Sequence, residues 1–172
     1  DHIPSRDGLD PFLTRDYAAA RHRLIDPDRA MAPDAAVSLR PQSNTTYLTV
    51  VDRDANAVSF VNSLFQALGS GSASAETGVM FQNRGFGFTL DEASANAIGP
   101  GKRPVHTIMP GMLARNGRAE MPFGVMGGQY QPFGHTHLLT NIIDYGMDPQ
   151  AALENPRLFH QLGKVEAESG IS

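Results

Sequence analysis

The chain changes texture at Thr45, and that change limits what it can fold into. Residues 1–44 are polar and punctuated by Pro27, Pro33 and Pro41, an irregular connector. Their one helical stretch is 16–25, with Thr14 standing where an N-cap belongs. From Thr45 onward the pattern becomes β. Tyr47-Leu48-Thr49-Val50-Val51 is rich in strand formers, 52–56 reads as a turn, and 57–64 alternates small or polar residues with apolar ones, so the pair predicts a hairpin. Gly69-Ser70-Gly71-Ser72 reads as a loop and 78–82 as a short strand. The long Gly-rich stretch 83–104 is of the kind that lines a site. Two further strands, 106–114 and 120–126, flank Asn116-Gly117, the strongest short-range hairpin signal. After Gly127-Gly128, Leu138, Leu139, Ile142 and Ile143 recur at helical spacing and Gly146 closes that helix. Asp148-Pro149 then opens another. Strands followed by helices that pack on them predict an α+β fold.

Composition narrows the function. At 172 residues, with 41% hydrophobic and 19% charged residues, the chain suits about one folded domain. A net charge of -4, with Lys102-Arg103 as the longest basic cluster, gives no footprint for nucleic acid. There is no cysteine, which removes thiolate chemistry, disulfides and Cys-based zinc sites and leaves the compartment open. No run of about 18 apolar residues predicts a membrane span, and Asp1-His2-Ile3-Pro4 is no signal peptide. The start without Met and the abrupt Gly170-Ile171-Ser172 end suggest a fragment.

A set of short motifs is more specific. Asn44-Thr45-Thr46-Tyr47-Leu48-Thr49-Val50-Val51-Asp52 resembles the start of the small subunit of gamma-glutamyltranspeptidases, which are N-terminal-nucleophile hydrolases. The resemblance continues through Asn56-Ala57-Val58, Gly69-Ser70-Gly71, Gly99-Pro100-Gly101-Lys102-Arg103-Pro104, Met126-Gly127-Gly128, Ile143-Asp144-Tyr145-Gly146 and Asn155-Pro156-Arg157. Any one of these is weak, but in collinear order they cover nearly all of 45–172. The resemblance implies the small-subunit half of a four-layer αββα sandwich, with 1–44 as the tail of the large subunit and 45–172 as a catalytic domain truncated at its C-terminus. The rest of the large subunit, with an arginine that binds the substrate's α-carboxylate, would be a missing partner covering an exposed sheet face.

The implied chemistry explains why a threonine leads. A Thr hydroxyl is a poor nucleophile at neutral pH. Cutting the Asn44–Thr45 bond frees the Thr45 α-amine, whose ordinary pKa is roughly 7.7–8.0, to act as base for its own hydroxyl. The same hydroxyl attacking the Asn44 carbonyl would make the cut autocatalytic, the chain being a zymogen until then. On the residues alone, Thr-Thr also suits a strand edge. By the resemblance, Gly127 and Gly128 supply an oxyanion hole, although a tight strand-to-helix turn needs glycines as well. Ser63 matches a hydroxyl that hydrogen-bonds the nucleophile, where Thr is usual. His106 and Thr107 match two serines that hold the substrate carboxylate; Thr107 can still donate, while His106 changes size and charge.

Other positions depart from the family pattern. Transpeptidases hold the substrate's α-amine with an Asn and an acidic residue, and the matching positions here are Phe65 and Gly87. Arg84 replaces a polar or acidic partner and would favour an anion through a forked contact. Gln82-Asn83-Arg84-Gly85 is closer to the divergent transpeptidase-like and cephalosporin-acylase relatives. Three functions follow: a gamma-glutamyltransferase or glutathione hydrolase acting through an acyl-threonine, an acylase of the same mechanism with a glutaryl-like acyl group, or an uncleaved binding or structural relative. No cofactor is expected. His135 and His137, two apart on a helix, point about 160° apart, and no acidic residue at helical spacing completes a metal site with them. Members of the family are secreted, periplasmic or cytoplasmic, so the resemblance leaves the compartment open too.

Overall fold

Thr45 opens a strand because β-branched and aromatic side chains dominate the residues that follow it, and because a turn returns the chain upon itself. In the computed structural model, which describes residues 13–28, 45–161 and 163–171, β1 (Thr45–Val51) and β2 (Ala57–Ser63) form an antiparallel hairpin. The Asp52 carboxylate accepts from the backbone N–H groups of Asp54 and Asn56 and from the Asn56 side chain, which closes the turn. Register runs from Thr45 opposite Ser63 to Val51 opposite Ala57. One face of the hairpin therefore presents Thr45, Tyr47, Ser59, Val61 and Ser63, and the other Leu48, Val50, Val58 and Phe60.

β3 (Gly111–Arg115) and β4 (Arg118–Phe123) make the second hairpin, with Asn116 and Gly117 at φ 52° and 77° as an Asn-Gly turn demands. The strands are shorter than the sequence suggests. Residues 106–110 remain outside the ladder, and Pro110 at its border has no N–H to donate. The expected strand at 78–82 is an isolated bridge, Ala73 to Met80, flanked by a few backbone bonds. In 83–104 a 3₁₀ turn, Arg84–Gly87, interrupts the irregular course.

Helix α1 (Arg15–His22) carries Thr14 as its cap, accepting from the Tyr17 N–H at 3.1 Å, and stops three residues short of the expected end. Helix α2 (Gln131–Ile143) begins before Gly134, because Pro132 suits a first helical turn. Helix α3 (Pro149–Glu154) is capped by Asp148, which accepts from Gln150 and Ala151. A third hairpin, β5 (Leu158–Gln161) with β6 (Lys164–Ala167), was not expected from the sequence. Its signal is short: four residues on either side of Gly163, at φ 75°.

Helices plus three two-stranded antiparallel sheets make the described residues an α+β structure. The first two hairpins meet where Ser59 Oγ donates to the Phe123 carbonyl at 3.2 Å. Gly124 lies under the Tyr47 ring, where a Cβ would come within 2.4 Å of it. Phe159 of β5 packs edge-on against Tyr130 and Phe133, at ring separations of 5.4 and 5.3 Å. Asn141 of α2 donates to the Ala152 carbonyl and accepts from Asn155, fixing α3. The buried apolar set is small: Val61, Phe65, Leu138, Ala152 and Phe159. Among the described residues no helix is long and apolar enough to cross a membrane.

Candidate active site

The antiparallel register puts Thr45 and Ser63 side by side at the open end of the first hairpin. Thr45 is 7% exposed, and its hydroxyl donates to Ser63 Oγ at 3.1 Å. Ser63 Oγ also accepts the Phe65 N–H at 2.9 Å, in a tight turn where Phe65 takes φ 78°. A non-glycine residue in that region is strained and needs its surroundings to hold it.

Those surroundings come from the loop after residue 82. The Asn83 N–H donates to the Leu64 carbonyl at 3.1 Å, and its side-chain oxygen accepts from the Gln66 N–H at 3.1 Å. Asn83 thereby delivers its neighbour Arg84 onto the 63–65 turn. The Arg84 guanidinium donates to Thr107 Oγ1 at 2.9 Å and to the Ser63 carbonyl at 3.4 Å. It stands over the Phe65 ring at 5.4 Å from the centroid. Arg84 is only 4% exposed and forms no ion pair with a described carboxylate. Burial lowers its pKa from the ordinary guanidinium value, yet an arginine stays charged at any physiological pH.

Of the residues singled out in the sequence, Thr45, Ser63, Arg84 and Thr107 form one hydrogen-bonded chain. His106 is exposed, with Nδ1 accepting the Ile108 N–H at 3.2 Å. Partial burial, then the charge of Arg84, push its imidazole below the usual 6.5, against the opposing bond from Ile108. Gly127 and Gly128 form the turn into α2 at φ 124° and 57°, backbone that glycine adopts without strain. Among the described residues neither glycine N–H meets an acceptor. Asn44, the other side of the expected cleavage site, lies outside the described residues. Asn83 and the packing role of Phe65 were missed in the sequence, since neither has a spacing signal; both depend on a loop folding back 17 to 19 residues later.

His135 and His137 do not act together. His137 Nε2 lies 3.1 Å from the Asn141 amide, while His135 packs edge-on against Phe123 at 5.1 Å. No group of three His, Cys, Asp or Glu placed to hold a metal occurs among the described residues.

The gamma-glutamyltranspeptidase family model matches residues 2–172. The chain belongs to the gamma-glutamyltranspeptidase family. It is 44% identical over 115 residues to the glutathione hydrolase-like YwrD proenzyme of Bacillus subtilis (strain 168), across 67% of this chain and 22% of that protein. The oxamate amidohydrolase proenzyme of Klebsiella pneumoniae is 32% identical over 167 residues, covering 88% of this chain and 31% of that one. The crystal structure of cephalosporin acylase from Bacillus halodurans superposes with a TM-score of 0.80 at 42% identity, over 94% of this chain and 29% of that chain. The transpeptidase and cephalosporin-acylase likeness expected from the motifs is the one found. The chain spans 22–31% of the length of these relatives.

Proposed function

We propose that this chain carries the nucleophile of an amide-cleaving enzyme of the gamma-glutamyltranspeptidase family, with Thr45 as that nucleophile. The supporting observation is the buried Thr45 hydroxyl held on Ser63 at the first position of β1. In this reading Thr45 Oγ1 first attacks the Asn44 carbonyl, collapse of the adduct breaks the C–N bond and frees the Thr45 α-amine, and hydrolysis of the resulting ester releases the Asn44 carboxylate and restores the Thr45 hydroxyl. That amine then takes the hydroxyl proton as Oγ1 attacks the substrate's amide carbon. The tetrahedral oxyanion is met by the N–H groups of Gly127 and Gly128, donors of a kind worth about 3 kcal/mol each. Collapse expels the amine with the proton returned to it, and water or an acceptor amine resolves the acyl-threonine. The relatives named above are called hydrolase-like, amidohydrolase and acylase, names that fit cleavage of an amide.

Residues 1–44 then belong to the large subunit and 45–172 to the small subunit of a four-layer αββα sandwich. The exposed Leu48, Val50, Val58 and Phe60 face, 44–55% accessible, suits cover by the remainder of such a precursor. In this reading His106, Thr107 and Arg84 hold the acyl group's charged end. A gamma-glutamyl amide is the first candidate substrate. Arg84, buried without a carboxylate and with Phe65 and Gly87 offering no anion for an α-ammonium, favours a second: an acyl group carrying a carboxylate but no amine, glutaryl-like in kind.

Intact-mass measurement and N-terminal sequencing of the full-length protein test this reading. Incubation of the wild type yields a fragment beginning Thr-Thr-Tyr, Thr46→Ala leaves that cut intact, and Thr45→Ala abolishes both the cut and turnover. A new terminus at Thr46, or no cut after long incubation, would sink it and favour an uncleaved relative with a binding role.

A further inference from the structure

The 63–65 turn and Arg84 form a unit whose purpose the amide chemistry does not by itself require. Phe65 is forced to φ 78° while its N–H is bound to the very hydroxyl that accepts from Thr45. An unsupported phenylalanine there would relax out of the left-handed region. Relaxation would swing the Phe65 N–H away and let Ser63 Oγ choose another rotamer. Arg84 opposes this from two sides: its guanidinium covers the Phe65 ring and binds the Ser63 carbonyl. Thr107 fixes the other arm of the fork. The arginine is itself nearly inaccessible, so most of its surface is used on the protein.

We infer that Arg84 is a positioning residue for the nucleophile, clamping the strained Ser63–Phe65 turn so that Ser63 Oγ stays aligned to accept from Thr45. This deepens the reading of Thr45 as nucleophile and rests on it. It is separate from any contact between the remaining guanidinium N–H groups and a substrate carboxylate. The difference is visible in self-cleavage, where the attacked carbonyl belongs to Asn44 and no substrate is present. A clamp affects both self-cleavage and turnover. A substrate anchor affects turnover alone.

The test uses the full-length protein and follows appearance of the Thr-Thr-Tyr terminus over time in wild type, Arg84→Gln, Arg84→Lys and Phe65→Gly. Glycine adopts φ 78° without strain, so in Phe65→Gly the turn no longer needs the clamp. Because a misplacement of about 1 Å can cost on the order of a hundredfold, self-cleavage is expected to slow at least tenfold in Arg84→Gln, and by much less in Phe65→Gly or when Phe65→Gly is added to Arg84→Gln. Arg84→Lys, which keeps the charge but loses the planar fork, is expected to rescue only partly. In Arg84→Gln enzyme that has matured, kcat falls for amides with and without an acyl carboxylate, and KM changes little for those without one. Circular dichroism and thermal melting identify any variant that fails to fold, and if Arg84→Gln is among them, the double variant with Phe65→Gly decides. Wild-type self-cleavage in folded Arg84→Gln, with KM raised only for carboxylate-bearing amides, or a tenfold or greater loss that Phe65→Gly does not relieve, overturns the clamp and leaves Thr45 as nucleophile untouched. Self-cleavage surviving in Thr45→Ala would overturn the underlying reading instead.

Discussion

On the proposed reading, the acyl preference turns on three residues. Phe65, Arg84 and Gly87 offer an incoming α-ammonium a ring, a like charge and bare backbone. Losing an unpaired ammonium costs less than about 1.4 kcal/mol, so matched gamma-glutamyl and glutaryl anilides should differ in kcat/KM by less than about tenfold. A gamma-glutamyl preference above roughly a hundredfold would show that a group elsewhere in the protein holds the amine. Histidine titration gives a second expectation. Burial lowers the pKa of His135, and burial with the Arg84 charge lowers that of His106, in each case from 6.5. The unfolded chain therefore binds these protons at higher pH than the folded one. Stability is full above pH 6.5 and falls as pH drops through the lower folded values. The melting temperature should decline between pH 7 and pH 5, and His135→Phe, whose ring keeps the edge contact with Phe123, should flatten that decline. A rise on acidification would contradict the burial account. The pairing of Thr45 with Ser63 was legible in the sequence, since the motif set the two hydroxyls together and the hairpin register does the same. The Asn83 tether was not, because a loop carries no period.

At the level of elements, local chemistry set what could be foreseen. Asn116-Gly117 and Asp148-Pro149 name their own conformations, and both occur as expected. Gly117→Ala should cost about 1–2 kcal/mol, since alanine resists the left-handed region, measurable by urea unfolding. An effect below a few tenths would mean that the turn shifts to another type without penalty. Strand ends were less legible. The stretch 106–110 alternates like a strand but finds no partner next to Pro110, and 78–82 achieves one bridge. Both have the composition of strands and lack a full partner strand among the described residues, which propensity cannot supply. The β5–β6 hairpin shows the converse: its residues look unremarkable singly, and packing of Phe159 on Tyr130 and Phe133 accompanies its place in the fold.

For the whole molecule, the first hairpin has two faces with different tasks. One carries the hydroxyl pair; the other is an apolar surface of Leu48, Val50, Val58 and Phe60. If the rest of a precursor covers that surface, Phe60→Asp in the full-length protein should destabilise by about 3–5 kcal/mol, as an unpaired charge buried in a core does. Arg53→Asp, in the turn where the arginine side chain is 93% exposed, should stay within about 0.5 kcal/mol. Equal small effects would mean that the face is solvated. The two faces share one backbone, and the strand period of two ties them together. Adding or deleting a single residue in the 52–56 turn and re-pairing the strands one step along would present Thr46 in place of Thr45 to the interior. The turn is open to solvent and far along the hairpin from Thr45, so it should accept almost any change of letter that preserves its bend. It should accept no change of length. A surface loop of this kind would look variable in composition and invariant in size, a ruler whose error appears seven residues away as a silent enzyme.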